Sequence, residues 1–212
     1  MKPFLRYALT VAAVLSGLCS CIKPDDDPVD PAVEVEDVCK MMEDRNFIKF
    51  CYDNYDADND GAVSALEAAT VSKMDVSSQD IRSLKGIEYF KNLTELACSS
   101  NFISRLDVGD LTKLTYLDCS INQLKLLRLD DLKRLQELNC MLNQLTVINV
   151  SDCTALNKLF CSDNQLTGID ISNLSRLEAL FCENNPLTAI YLSKGQQVDI
   201  WGQPDDCTIV YK

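Results

Sequence analysis

The stretch Leu114-Thr115-Tyr116-Leu117-Asp118-Cys119-Ser120-Ile121-Asn122-Gln123-Leu124 decides the fold. Its pattern returns every 21 residues. Leu96, Leu117, Leu138, Leu159 and Leu180 form one column, and Cys98, Cys119, Cys140, Cys161 and Cys182 the next. Asn101, Asn122, Asn143, Asn164 and Asn185 follow. After them stand Ile103, Leu124, Leu145, Leu166 and Leu187, then Leu106, Leu127, Ile148, Ile169 and Ile190. A fixed period of this length means one small structural unit per copy, stacked so that neighbouring copies bury each other's apolar positions.

The unit Leu114-x-x-Leu117-x-Cys119-x-x-Asn122-x-Leu124 resembles the leucine-rich-repeat pattern, with Cys in an allowed slot. The fold class expected is an α/β solenoid, a right-handed superhelix with one short parallel strand per turn on its concave face. Twenty-one residues leave little length for a convex helix, so that side is read as narrow, mostly extended backbone. Leu and Cys point inward. The Asn column is expected to be buried but satisfied, its amide bridging backbone groups of adjacent turns. A degenerate turn (Val71, Met74, Val76, Ile81, Leu84, Ile87, Phe90) leads in with a period of 22. The repeats are placed at 73–194. Residues 195–212 break the pattern and read as a strand-like cap.

A second motif precedes the repeats. Asp56-Ala57-Asp58-Asn59-Asp60-Gly61-Ala62-Val63-Ser64-Ala65-Leu66-Glu67 puts oxygen donors at loop positions 1, 3, 5, 9 and 12, with Gly at 6. Ca²⁺ is a hard cation wanting six to eight oxygens. Asp56, Asp58 and Asp60 offer carboxylates, Ala62 a backbone carbonyl, Ser64 a hydroxyl or a bridging water, and Glu67 both oxygens. The loop resembles an EF-hand. Phe47, Ile48, Phe50, Cys51 and Tyr55 place apolar groups on one face of an incoming helix. Leu66, Ala69 and Thr70 open a short outgoing one, with Ser64 as its N-cap. No second loop of this kind occurs, although such hands usually pair through the strand at position 8, here Val63. A weak structural Ca²⁺ site is therefore expected, with Kd about 10⁻⁵ to 10⁻³ M. Residues 34–72 form a helical cap over the first turn's open edge.

At the N-terminus Lys2 and Arg6 precede an apolar stretch from Leu9 to Leu15, a secretory signal too short to span a membrane. It ends Leu18-Cys19-Ser20-Cys21, which resembles a lipobox. Residues 1–20 are read as the signal and Cys21 as the lipidated residue. Residues 21–33, with Lys23-Pro24-Asp25-Asp26-Asp27-Pro28, read as an acidic, Pro-rich tether. From lipobox to C-terminus the chain resembles Bacteroidetes surface lipoproteins with internalin-like leucine-rich repeats. That resemblance implies an outer-membrane lipoprotein displayed at the cell surface, membrane contact through the lipid only, and a binding role without catalytic residues. The periplasmic face of the outer membrane is the alternative location.

Composition narrows the function. The chain has 212 residues, 11 Cys, no His and a net charge of −12. The negative charge argues against nucleic acid as a partner. Without His there is no Ser-His-Asp triad, Cys-His pair or His-containing zinc site. Five Cys belong to the repeat column and read as small buried hydrophobes, and Cys153 takes the slot of Leu111 and Leu132. A Cys39–Cys51 bridge stays open. No enzyme is expected.

Residues flanking the inward Leu and Cys should face outward. They include Tyr116, Asp118, Glu137, Asn139, Met141, Lys158, Phe160 and Phe181. Large apolar groups rimmed by charge mark partner sites. The mixed strip favours a protein ligand bound by a monomer. The alternative is a glycan stacking on Tyr116, Phe160, Phe181 and Trp201.

Overall fold

The computed structural model describes residues 36–212. The signal, Cys21 and the tether lie outside the described residues. Helix α1 (Arg45–Tyr55) leads into the acidic loop, and α2 (Ala65–Thr70) leaves it. Twelve short strands follow: β1 (Lys73–Asp75), β2 (Glu95–Ala97), β3 (Arg105–Asp107), β4 (Tyr116–Asp118), β5 (Leu126–Arg128), β6 (Glu137–Asn139), β7 (Lys158–Phe160), β8 (Gly168–Asp170), β9 (Ala179–Phe181), β10 (Ala189–Leu192), β11 (Asp199–Trp201) and β12 (Thr208–Tyr211).

One strand per turn joins a seven-stranded parallel sheet in the order β1-β2-β4-β6-β7-β9-β11. This is a leucine-rich-repeat solenoid. The side read as extended backbone carries short parallel strands of its own: β3 pairs with β5, and β8-β10-β12 form a three-stranded sheet. The segment 195–212 does more than cap the end. Its two strands extend the seven-stranded and three-stranded sheets by one rung each, β11 pairing with β9 and β12 with β10.

The inward columns are sealed. The five column Leu and five column Cys are all 0% exposed, so Cys occupies core space. The degenerate first turn is buried as well, from Val71 to Phe90. Its cover is the helical cap. The Phe47 and Tyr55 rings lie 6.5 and 5.5 Å from Phe90. The Asp44 carboxylate caps α1 by accepting from Asn46 N and Phe47 N, and also accepts from Arg82 N at 2.7 Å. Leu66, by contrast, is 82% exposed; Ala68 is the residue α2 buries.

The Asn column ties each turn to the one before. Asn143 Oδ1 accepts from Leu124 N at 2.9 Å, while its Nδ2 donates to Cys119 O at 3.0 Å and Cys140 O at 3.1 Å. Asn122, Asn164 and Asn185 repeat the arrangement. The residue before each Asn turns the corner in the left-handed region: Ser100, Ile121, Leu142, Asp163 and Asn184 have φ of 52–57°. For β-branched Ile121 that conformation is strained.

Asn143→Ala should therefore cost far more than an ordinary surface change. It strips one backbone donor and two carbonyls of buried partners, each costing about 1–3 kcal/mol when unmet. We expect a loss of about 3 kcal/mol or more in urea unfolding, against under 0.5 kcal/mol for Thr146→Ala on the exposed side of the same turn.

Candidate binding face and metal loop

The seven-stranded sheet sets the outer columns by register. Position one of successive strands gives Lys73, Glu95, Tyr116, Glu137, Lys158, Ala179 and Asp199. Position three gives Asp75, Ala97, Asp118, Asn139, Phe160, Phe181 and Trp201. Tyr116, Asp118, Glu137, Asn139, Lys158, Phe160 and Phe181 thus share one face, and Met141 follows β6 one residue past the buried Cys140. All of these are at least partly exposed.

The charged members mostly satisfy each other. Lys73 pairs with Glu95 at 2.7 Å and Lys158 with Glu137 at 3.7 Å, exposed contacts worth little individually. Asp118 accepts from Ser120 N and Oγ at 3.0 and 2.7 Å. Asn139 Oδ1 accepts from Met141 N at 3.2 Å. Tyr116 stands between Glu95 and Glu137. Partial burial first, then the neighbouring carboxylates led by Asp118 and Glu137, hold its phenol above its ordinary range.

The aromatic members form a stack. Phe160 and Phe181 have centroids 4.6 Å apart and planes 9° from parallel. Trp201 continues it at 6.2 Å and 8°, and is 54% exposed. Stacking along the sheet axis covers the inner ring faces with neighbouring rings and leaves ring edges toward solvent. Trp201 is the member the repeat arithmetic undersells. The last turn has 20 residues in register where the four before it have 21, so Trp201 slips out of the column by one place.

The acidic loop is folded around its own donors. Side-chain oxygens of Asp56, Asp58 and Asp60 lie within 4.8 Å of one another. Asp56 accepts from Asp60 N at 3.1 Å and Gly61 N at 3.0 Å, and Asp60 accepts from Ala62 N at 2.8 Å. Gly61 supplies the left-handed turn at φ 88°. Glu67 reaches across the loop. Its Oε1 accepts from Ala57 N at 2.7 Å, and its Oε2 from Ser64 N at 2.8 Å and Ser64 Oγ at 2.9 Å. Ser64 Oγ in turn accepts from Glu67 N, completing the capping box of α2. These bonds, led by the one from the Ser64 backbone, pull the Glu67 carboxyl below its ordinary range. Asp56, Asp58 and Asp60 thus converge, while both Glu67 oxygens are taken by Ala57 N, Ser64 N and Ser64 Oγ, so Glu67 stands outside the converging group. The three carboxylates are the hard oxygen donors that a cation such as Ca²⁺ takes.

Val63, at loop position 8, does have a strand partner. Its carbonyl accepts from Val38 N at 2.9 Å, and Asp37 and Ser64 form an antiparallel bridge. Nothing periodic marks this pairing in the sequence.

The cysteines among the described residues offer no exposed nucleophile. Cys39, Cys51, the five ladder residues, Cys153 and Cys207 are all free and buried. The neighbouring Cys39 thiol first, and then burial, pushes the ionisation of Cys51 up. Ladder thiols point along the solenoid, Cys119 donating to Asn139 O at 3.4 Å and Cys161 to Phe181 O at 3.3 Å. Burial raises Cys140 to about 12 and Cys182 to about 11.

A cavity of about 560 Å³ lies elsewhere, lined by residues that include Glu43, Lys85, Arg105, Asp107, Leu111 and Arg128. It holds none of the outer-column residues. No helix among the described residues is long and apolar enough to cross a membrane.

The sequence matches no protein-family model and no curated protein. Solved structures do resemble it. Internalin C2 from Listeria monocytogenes is 22% identical, with a TM-score of 0.49, over 82% of this chain and 96% of that one. A leucine-rich-repeat protein of Leptospira interrogans is 29% identical, with a TM-score of 0.45, over 50% of this chain and 29% of that one. The functional domain of InlJ from Listeria monocytogenes, which includes a cysteine ladder, is 20% identical, with a TM-score of 0.31, over 79% and 61%.

The ladder thiols make a signed pH prediction. Native ladder thiols stay protonated where unfolded ones ionise, from pH about 8.5 upward. A raised native pKa stabilises the fold in full below the unfolded value and loses that contribution as pH climbs toward the native one. The urea midpoint should fall between pH about 8.5 and 12, and Cys140→Ala should flatten that slope. A slope unchanged by the substitution would refute the assignment.

Proposed function

We propose that this chain is a non-catalytic, cell-surface binding protein that holds a protein ligand on the outer face of its seven-stranded sheet. The observation that carries the reading is the aromatic stack Phe160–Phe181–Trp201 beside the polar and charged rows of Glu95, Tyr116, Glu137, Lys158 and Asp118. Aromatic anchors rimmed by polar groups are the usual composition of a protein-binding hot spot. A sugar ring would need a free aromatic face, and the inner faces of the stack are taken by neighbouring rings. The outward face of Trp201, on the last strand of the sheet, is what favours the glycan alternative.

Export and attachment through a lipidated Cys21 belong to the same proposal, supported by the N-terminal motif alone. So does a structural Ca²⁺ in the loop Asp56–Glu67, supported by the convergence of its carboxylates. When bound, the ion would offset their mutual repulsion and lock the helical cap.

Two experiments test these readings. Capture from cell-surface protein fractions should succeed with the intact chain and fail with the double variant Phe160→Ala, Phe181→Ala. That variant should keep its fold at a cost of about 1–2 kcal/mol for the lost stacking and burial. A glycan-array signal abolished by Trp201→Ala, with no protein captured, would replace the protein reading with the glycan one. For the loop, calorimetric titration with Ca²⁺ should give a Kd in the range of about 10⁻⁵ to 10⁻³ M, weakened in Glu67→Gln. Equal, negligible heats for both would remove calcium from the account.

A further inference from the structure

EF-hand loops are steadied at position 8 by a strand from a second loop, and this chain has one loop only. The structure fills that place with the segment just before α1. Asp37 is 4% exposed, and its carboxylate joins three elements. Its Oδ1 accepts from Val63 N at 3.2 Å and from Cys39 N at 3.0 Å. Its Oδ2 accepts from the Tyr52 hydroxyl of α1 at 2.6 Å. Val38 N completes the pairing on Val63 O at 2.9 Å.

The consequence for the loop is local and geometric. Val63 lies between Ala62 and Ser64, whose oxygens stand at positions 7 and 9 of the donor set. Fixing the Val63 backbone on both its N–H and its C=O fixes those two donors before any ion arrives. Outer supports of this kind hold ligands in place without touching the ion. The same segment also reaches the solenoid. The Met42 side chain fills the space a Cβ on Gly86 would take, and Gly86 has φ 101°.

We infer that segment 36–42 serves as the missing second strand of the calcium loop, so that its docking on Val63 and the binding of Ca²⁺ are one coupled equilibrium. This rests on the calcium reading above. Asp37 and Tyr52 are positioning residues in it. Coupling is reciprocal: whatever docking adds to calcium affinity, calcium returns to docking. Calcium would then tighten the segment through which the chain enters the solenoid.

The test uses the chain as described, with Asp37→Asn and Tyr52→Phe beside it. Calorimetry with CaCl₂ should show affinity reduced about tenfold in Asp37→Asn and by a smaller factor in Tyr52→Phe. In the unmodified chain, Ca²⁺ should slow hydrogen exchange at the Val38 and Val63 amides, and that slowing should shrink in both variants. The unfolding midpoint of the repeats reports whether each variant still folds, and Tyr52→Phe keeps the ring. If the unmodified chain binds Ca²⁺ and both variants bind equally well, with Val38 exchange indifferent to the ion, the coupling is wrong and the calcium loop stands. If the unmodified chain takes up no Ca²⁺ at all, the loop reading fails and the coupling falls with it.

Discussion

One buried amide per turn governs this structure. Each ladder Asn must place a carbonyl and an NH₂ where water cannot reach, and the partners within range are backbone groups of its own turn and the turn before. That requirement fixes how far one turn sits from the next and in what register. A turn one residue longer or shorter in its corner would carry the amide past its acceptors. The corner itself is costly. It forces the preceding residue to φ near 55°, including Ile121 and Leu142, which gain nothing from that conformation. Both side chains are about half exposed, at 50% and 49%, so burial does not compensate them. The ladder bonds on the adjacent residue are what hold the corner in place.

Register then dictates what the surface can do. Because equivalent residues face each other across neighbouring strands, any outer position becomes a row along the sheet. Rows of opposite charge pair, as Lys73–Glu95 and Glu137–Lys158 do. A row of rings stacks. Strand spacing of about 4.8 Å is close to an offset stacking distance, so Phe160 and Phe181 satisfy both constraints at once. Ligand chemistry follows from this geometry as much as from the residue types. Stacked rings present edges, which suit irregular side chains better than the flat face of a sugar.

Much of this was legible in the sequence, for a physical reason. A repeat averages over its copies, so each column is stated five times and a single deviation does not hide it. The Leu, Cys and Asn columns, the buried degenerate turn and the outer rows could all be read that way. Features stated once could not. The second sheet depends on backbone pairing over three-residue stretches with no alternation to announce it. Trp201 is evident as a stacking aromatic, but its place in the row of Phe181 is not, because the last turn is one residue shorter. The Asp37–Val63 pairing joins residues 26 apart through one carboxylate, and a lone Asp looks like any other acidic residue before a helix. Leu66 shows the opposite error, an apolar residue in a helix pattern that faces solvent because six residues are too few to hold a stripe.

The two proposed sites lie at opposite ends of the repeat array, and solenoid energetics says how far they could influence each other. The helical cap is fastened to the first turn by side chain–backbone bonds: Asp44 to Arg82 N, Asn46 to Asp80 O and Asn92 to Ala69 O. The rings of Phe47, Tyr55 and Phe90 fill the space between. Any stabilisation an ion brings to the loop therefore reaches β1 and its neighbours directly. Beyond them each turn contacts only the next, and stability passes along the array as a chain of interface terms. The aromatic stack begins on β7, with β2, β4 and β6 between it and the first turn. From β2 onward every interface on that path is sealed by a Leu, a Cys and an Asn held in one repeated arrangement. A ligand on the aromatic face and an ion in the loop, as proposed, would thus be linked only through the overall stability of the array. The proposed ion's effect would be confined to the end where the chain enters the solenoid, and the proposed ligand's to the far half of the sheet.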